Sequence, residues 1–145
     1  REWLPDVEVN IEFIRYACKG CPGVLAAGIP VDFIESERAR LEVFRTLSRF
    51  TSEAEIKEYH LELSDRFGKL PAEVENLLTL TMIKIYAAKA HFTSITVMEN
   101  RVLLRKRAAD TFRVNGKIPH LDGNAPAEVR LKDLLRIVRL AGLEK

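Results

Sequence analysis

The chain has 145 residues, 47% hydrophobic and 30% charged, enough to bury one core and too short for two ordinary domains. A formal charge of +2 favours neither nucleic acid nor an anionic membrane as an obligatory partner. No apolar run reaches the roughly 18 residues of a membrane span, and the N-terminus lacks the basic start and apolar stretch of a signal peptide, so a cytoplasmic protein is expected.

In chain order, Val7, Val9, Ile11 and Phe13 alternate with Glu8, Asn10 and Glu12, the period of a half-buried strand. Cys18 to Gly28 carries three glycines and a proline and is expected to be an irregular connection. Ile29 to Ile34 is expected to be extended, because Pro30 biases its predecessor away from helix. A helix follows from Ser36 to Ser48, with Leu41, Phe44 and Leu47 as its expected inner face and Arg38, Arg40, Glu42 and Arg45 directed elsewhere. Ser52 and Glu55 form a capping box that starts the next helix near Glu53. Its apolar stripe is Ile56, Tyr59, Leu63 and Phe67. Gly68 ends it, since glycine can take the left-handed conformation that closes a helix. Pro71 opens a longer helix of about two dozen residues, apolar nearly all round at Leu77, Leu78, Leu80, Met82, Ile83 and Ile85, which places it at the centre of the domain.

Beyond Phe92 the period changes. A two-residue turn at Glu99-Asn100 pairs Val97 with Val102 and Ile95 with Leu104, so a hairpin is predicted. Phe112 to Asp122 is ambiguous between strand and loop, and Gly123 to Pro126 is a turn. A last amphipathic helix runs from about Pro126 to Ala141, with Leu131, Leu134, Leu135 and Val138 inward and Gly142 as its stop. The fold class is α+β: a helical half with a long central helix packed on a small, mostly antiparallel sheet, closed by a C-terminal helix. One domain spans 1–145, with a strand and irregular loop over 1–28 and the core over 29–145. The opening Arg1-Glu2-Trp3 lacks an initiator Met, and a piece of a longer polypeptide or a processed product is expected.

Chemistry has few candidates. Cys18-Lys19-Gly20-Cys21 has CxxC spacing, but His60, His91 and His120 are scattered singly, so no metal site is expected and two free thiols are the simpler reading. Arg101, Arg105 and Arg107 lie on one strand face and could follow a phosphate backbone. With no interleaved aromatic residues, a solvated sheet face is favoured. Arg130, Lys132, Arg136 and Arg139 read as the outer face of the last helix. Glu73 and Glu75 complement the dipole at the start of the long helix. No phosphate-binding Gly loop, nucleophile elbow or HExxH run is present, so no catalytic residue is assigned and an enzyme is not expected.

Glu62, Asp65 and Arg66 stand at i, i+3 and i+4, on a face roughly a third of a turn from the apolar stripe. Asp65 is a misfit in the last turn, where the helix dipole disfavours an anion. Either Glu62 and Arg66 form a surface ion pair with Asp65 solvated, or the three are a charged docking face.

The run Glu62-Leu63-Ser64-Asp65-Arg66-Phe67-Gly68-Lys69-Leu70-Pro71, continued by Asn76, Leu77 and Leu78, resembles the signature of the C-terminal domain of the bacterial transcription-repair coupling factor, close to ELxDRFGxLPxxxxNLL. Ile29 to Ile34 is similar to the family's IPxDYI segment, and Arg38, Leu41, Phe44 and Arg45 to the helix after it. The resemblance is good from Ile29 to Phe92, thins beyond, and omits the CxxC loop. It implies a non-catalytic domain of an ATP-driven DNA translocase that displaces stalled RNA polymerase and recruits UvrA. ATP and Mg would belong to the motor, and this domain would hold no cofactor. It also implies docking on the N-terminal UvrB-like module through Glu62, Asp65 and Arg66, which would mask the UvrA-binding surface.

Overall fold

A computed structural model describes residues 6–15, 24–107 and 111–143. Its elements are β1 (Glu8–Ile11), β2 (Ile14–Arg15), β3 (Leu25–Ala26), α1 (Glu37–Arg49), α2 (Glu53–Phe67), α3 (Ala72–Lys89), β4 (Phe92–Met98), β5 (Arg101–Lys106) and α4 (Ala127–Ala141). This is the α+β arrangement expected, with a central helix between a helical half and a sheet.

The main sheet has the order β1-β4-β5. β4 and β5 are antiparallel, and Ile95 pairs with Leu104 and Val97 with Val102, the register that the apolar pattern requires. Glu99 and Asn100 both have positive φ, 52° and 61°, the signature of a type I′ hairpin turn. Glutamate is disfavoured there. The Glu12 carboxylate offsets the cost by accepting from the backbone N–H of Glu99 at 2.9 Å and of Asn100 at 3.3 Å. β1 joins on the far side of β4 in parallel, so the sheet is mixed, and the second sheet, β2 with β3, is parallel as well. Two neighbouring strands so far apart in sequence cannot reveal their relative direction through periodicity.

Two cores share α3. Its C-terminal half, with Leu80, Ile83, Ala87 and Ala88, packs with the inner face of the sheet and with Leu131, Leu134 and Val138 of α4. Its N-terminal half, with Val74, Leu77 and Leu78, packs with Val43 and Leu47 of α1 and Ile56, Tyr59 and Leu63 of α2. A helix buried on both sides must be apolar all round, as its sequence is. It has 18 residues, shorter than its apolar run suggested, because the backbone turns at Ala90 and His91, the latter at φ 68°. Pro71 is its N-cap rather than its first helical residue. Among the described residues no helix is long and apolar enough to cross a membrane.

Three local expectations are corrected. Ile29 to Ile34 is a turn, not an extended segment, since the N–H groups of Phe33 and Ile34 both donate to the Pro30 carbonyl. The described part of the expected loop, 24–28, contains β3 and is bound to α3: Asn76 Nδ2 donates to the Ala26 carbonyl at 2.9 Å, and Gly28 N–H to that of Glu73 at 3.1 Å. Cys18 and Cys21 lie outside the described residues. In α1, Leu41 and Phe44 are 49% and 42% exposed, and Val43 and Leu47 are the buried pair. Two registers of that helix offered a hydrophobic stripe, and the i, i+4 pair is the one that meets α2 and α3.

The ambiguous stretch after Phe112 runs along the free edge of β5. Bridges join Arg105 to Thr111 and Arg101 to His120, and Asn115-Gly116 forms a second tight turn closed by reciprocal bonds between Val114 and Lys117. An open edge is thereby covered.

Candidate docking surface on helix α2

Helix α2 starts where Ser52 Oγ accepts from Glu55 N–H at 3.3 Å, and the Glu55 carboxylate reaches back to Thr51 N–H at 2.8 Å. Leu63 is fully buried and Tyr59 nearly so, which fixes the rotation of the helix against α3. With that face committed, Glu62, Asp65 and Arg66 must point outward, and all three are exposed.

The ion pair between Glu62 and Arg66, one of the two expected alternatives, does not form. Arg66 lies instead over the ring of Phe67, 4.9 Å from its centroid, and Phe67 in turn packs on Phe33 at 5.7 Å. A guanidinium stacked on an aromatic face keeps its in-plane N–H donors free for a partner. Glu62 and Asp65 make no ion pair or hydrogen bond among the described residues.

Gly68 explains why the run ends as it does. Its φ of 93° and ψ of −170° are not the left-handed helical values expected but lie in a region that essentially only glycine occupies. The chain leaves α2 extended, Leu70 turns into the core, and Pro71 caps α3. Leu63, Gly68, Leu70 and Pro71 thus position the charges without belonging to the surface chemistry, whereas Phe67 both positions Arg66 and lies at the surface.

Beside this face, a groove of about 670 Å³ separates α1 from α2, with Arg38, Glu58, Tyr59, Glu62, Arg66 and Phe67 among its lining residues. Burial raises the pKa of the Tyr59 phenol, and a hydrogen bond with Thr46 partly opposes the shift. The ring packs edge-on against Phe50 at 5.3 Å. The groove therefore offers an aromatic floor with carboxylates and guanidiniums on its rim. Arg38 and Glu58 were not singled out as site residues by sequence. They come from different helices, and no local spacing relates them. Asp65 lies outside the groove on the same helix face.

Arg101 and Arg105 are exposed on β5, which borders the other core, and Arg107 is exposed just beyond its end. They do not join the α2 cluster. Among the described residues no group of three or more His, Cys, Asp or Glu is placed to hold a metal ion.

A family model described as the TRCF domain matches residues 24–116, which include the whole Glu62–Pro71 run and extend past the stretch where the resemblance was strong. The transcription-repair-coupling factor of Staphylococcus haemolyticus (strain JCSC1435) is 32% identical over 113 residues, covering 78% of this chain and 9% of that protein. Its counterpart from Staphylococcus epidermidis (strain ATCC 12228 / FDA PCI 1200) is 33% identical over 86 residues, 59% of this chain and 6% of that protein. This chain therefore spans under a tenth of these relatives. A crystal structure of the C-terminal domain of transcription-repair coupling factor has the same fold, with a TM-score of 0.72 at 18% identity over 96% of this chain and 92% of that one. The chain belongs to the TRCF domain family.

Proposed function

We propose that this domain is a non-catalytic, autoinhibitory protein-interaction module of a cytoplasmic transcription-repair coupling factor. Its parent would be an ATP-dependent DNA translocase that displaces stalled RNA polymerase and recruits UvrA for excision repair. Through Glu62, Asp65 and Arg66 the domain docks on the N-terminal UvrB-like module of the same protein and covers the surface that UvrA binds. Engagement of polymerase by the motor releases it.

The observation that supports this reading is the unpaired state of Glu62 and Asp65 beside a stacked Arg66, on a helix whose adjoining apolar face is fixed by Leu63. Exposed, mixed charges give orientation and specificity rather than great intrinsic affinity. A tethered partner compensates through effective concentration. A coupling of roughly 1–3 kcal/mol is then enough to keep a closed state dominant while a second ligand can still open it.

The test uses the full-length parent protein. Asp65→Ala and Arg66→Ala should each raise its affinity for UvrA while the melting temperature stays unchanged. Unaltered UvrA affinity in both variants would sink the docking assignment.

A further inference from the structure

The near-neutral total charge hides a segregation. Residues 101–121 hold six cations, Arg101, Arg105, Lys106, Arg107, Arg113 and Lys117, against the single anion Asp110, a net of +5 that leaves −3 for the rest of the chain. The described residues of this stretch, 101–107 and 111–121, are β5 with Arg107 and the segment bridged to its edge, so the tertiary structure gathers their charge on one border of the sheet.

We infer that this border, formed by Arg105, Arg107, Arg113 and Lys117, binds the phosphate backbone of duplex nucleic acid without regard to sequence. The inference goes beyond the docking reading and is independent of it, since it uses no residue of α2.

Side-chain alternation sets the geometry. Val102 and Leu104 are fully buried against the helices, so Arg105 faces away from the core. Thr111 is directly opposite Arg105 in the bridge and shares its side of the sheet. Phe112 turns inward, 6.1 Å from the ring of Phe92, and Arg113 after it is exposed. Beyond it, the Asn115-Gly116 turn holds Lys117 exposed at the tip, Gly116 taking φ 78° and Arg113 Nη1 donating to its carbonyl at 3.5 Å. Arg105, Arg107, Arg113 and Lys117 are all exposed and make no ion pair among the described residues. Lys106 differs: its ammonium lies 5.4 Å from the centroid of the buried Phe92 ring. Arg101 is at the opposite end of β5, beside the hairpin turn where Glu99 and Glu12 supply carboxylates, which makes that end the less favourable for an anion.

The ligand chemistry follows. Unpaired cations along an extended edge match a line of phosphates, and the neighbouring Ser94, Thr96 and Thr111 hydroxyls are further donors to phosphate oxygens on the same face. Single-strand binders stack bases on exposed aromatic rings, whereas Phe92 is buried and Phe112 is packed on it, so the duplex is the better match. An acidic protein surface is the competing class.

The chain as it stands should be titrated against a fluorescein-labelled 20-base-pair duplex of arbitrary sequence from 25 to 200 mM salt. Four phosphate contacts predict a slope of log K on log salt near ~−3.6, about a hundredfold loss of affinity between 50 and 200 mM. Arg105→Gln with Arg113→Gln should reduce the slope by ~2, and Arg107→Gln with Lys117→Gln, neither of which belongs to β5 and whose substitution leaves the Val114–Lys117 backbone bonds in place, should do the same. No binding at 25 mM salt overturns the proposal, as does an unchanged slope in both folded double variants. Tighter binding of polyglutamate than of duplex at equal charge concentration also overturns it, in favour of an acidic protein partner.

Discussion

Glu53 Oε1 accepts the Tyr86 hydroxyl at 2.8 Å, tying the first turn of α2 to the last turns of α3. Arg139 of α4 donates to the same oxygen at 2.6 Å while its guanidinium stacks 5.0 Å from the centroid of the Tyr86 ring. Lys57 reaches the other carboxylate oxygen at 2.9 Å. One carboxylate thus links the helical half to the sheet half across three helices.

These partners make Glu53 sensitive to pH. Hydrogen bonds from Lys57 and then Tyr86, aided by the Arg139 charge, hold its pKa below the usual 4.5 despite partial burial. A depressed folded-state pKa stabilises above the unfolded value and loses that contribution as pH falls through the folded one. Glu53→Gln should therefore cost about 1 kcal/mol at pH 7, modest because the site is partly open to water. In urea unfolding, the gap between variant and wild type should close as pH drops below about 4.

Gly68 has open space around its Cα, with no atom within 4 Å of an added Cβ. The cost of Gly68→Ala is therefore backbone strain alone, about 1–3 kcal/mol for a residue forced into that region. Thermal unfolding should show it, and Gly116→Ala, at φ 78° with equally open space, should show a smaller loss.

Leu63 and its charged neighbours should separate cleanly in stability. Leu63→Ala removes a fully buried side chain and should cost about 2–5 kcal/mol. Glu62→Ala and Asp65→Ala, exposed and unpaired, should stay within about 0.5 kcal/mol by urea unfolding. A large loss from either carboxylate variant would give it a structural role that the contacts do not show.

Helix α1 tests the corrected register. Leu41→Ser should change the unfolding midpoint little, since nearly half of Leu41 is in water, whereas Leu47→Ala should cost about 2–5 kcal/mol.

Much of the architecture was legible from local periodicity. The Ser52 cap, the Ile56-Tyr59-Leu63 stripe, the all-round apolar α3 and the β4-β5 register each rest on interactions within a few residues or across one short turn. The buried face of α1 is not legible locally because Leu41-Phe44-Leu47 and Val43-Leu47 are both plausible helical stripes, and only the position of α3 selects between them. The docking candidates were legible as a charge cluster. That Arg66 turns to Phe67 and leaves Glu62 and Asp65 unpaired was not, because the choice depends on the aromatic ledge that Phe33 completes from another segment.

By itself the sequence determined the four helices, the strands β1, β4 and β5, the hairpin register and the positions of the site residues along α2, since caps, stripes and turn residues act through nearest neighbours. Only the tertiary structure decided that β1 runs parallel to β4, that α1 and α2 enclose a groove, and that β5 and its edge segment concentrate positive charge on one border. Those outcomes depend on which surfaces can be buried together, and burial joins residues that no local spacing connects.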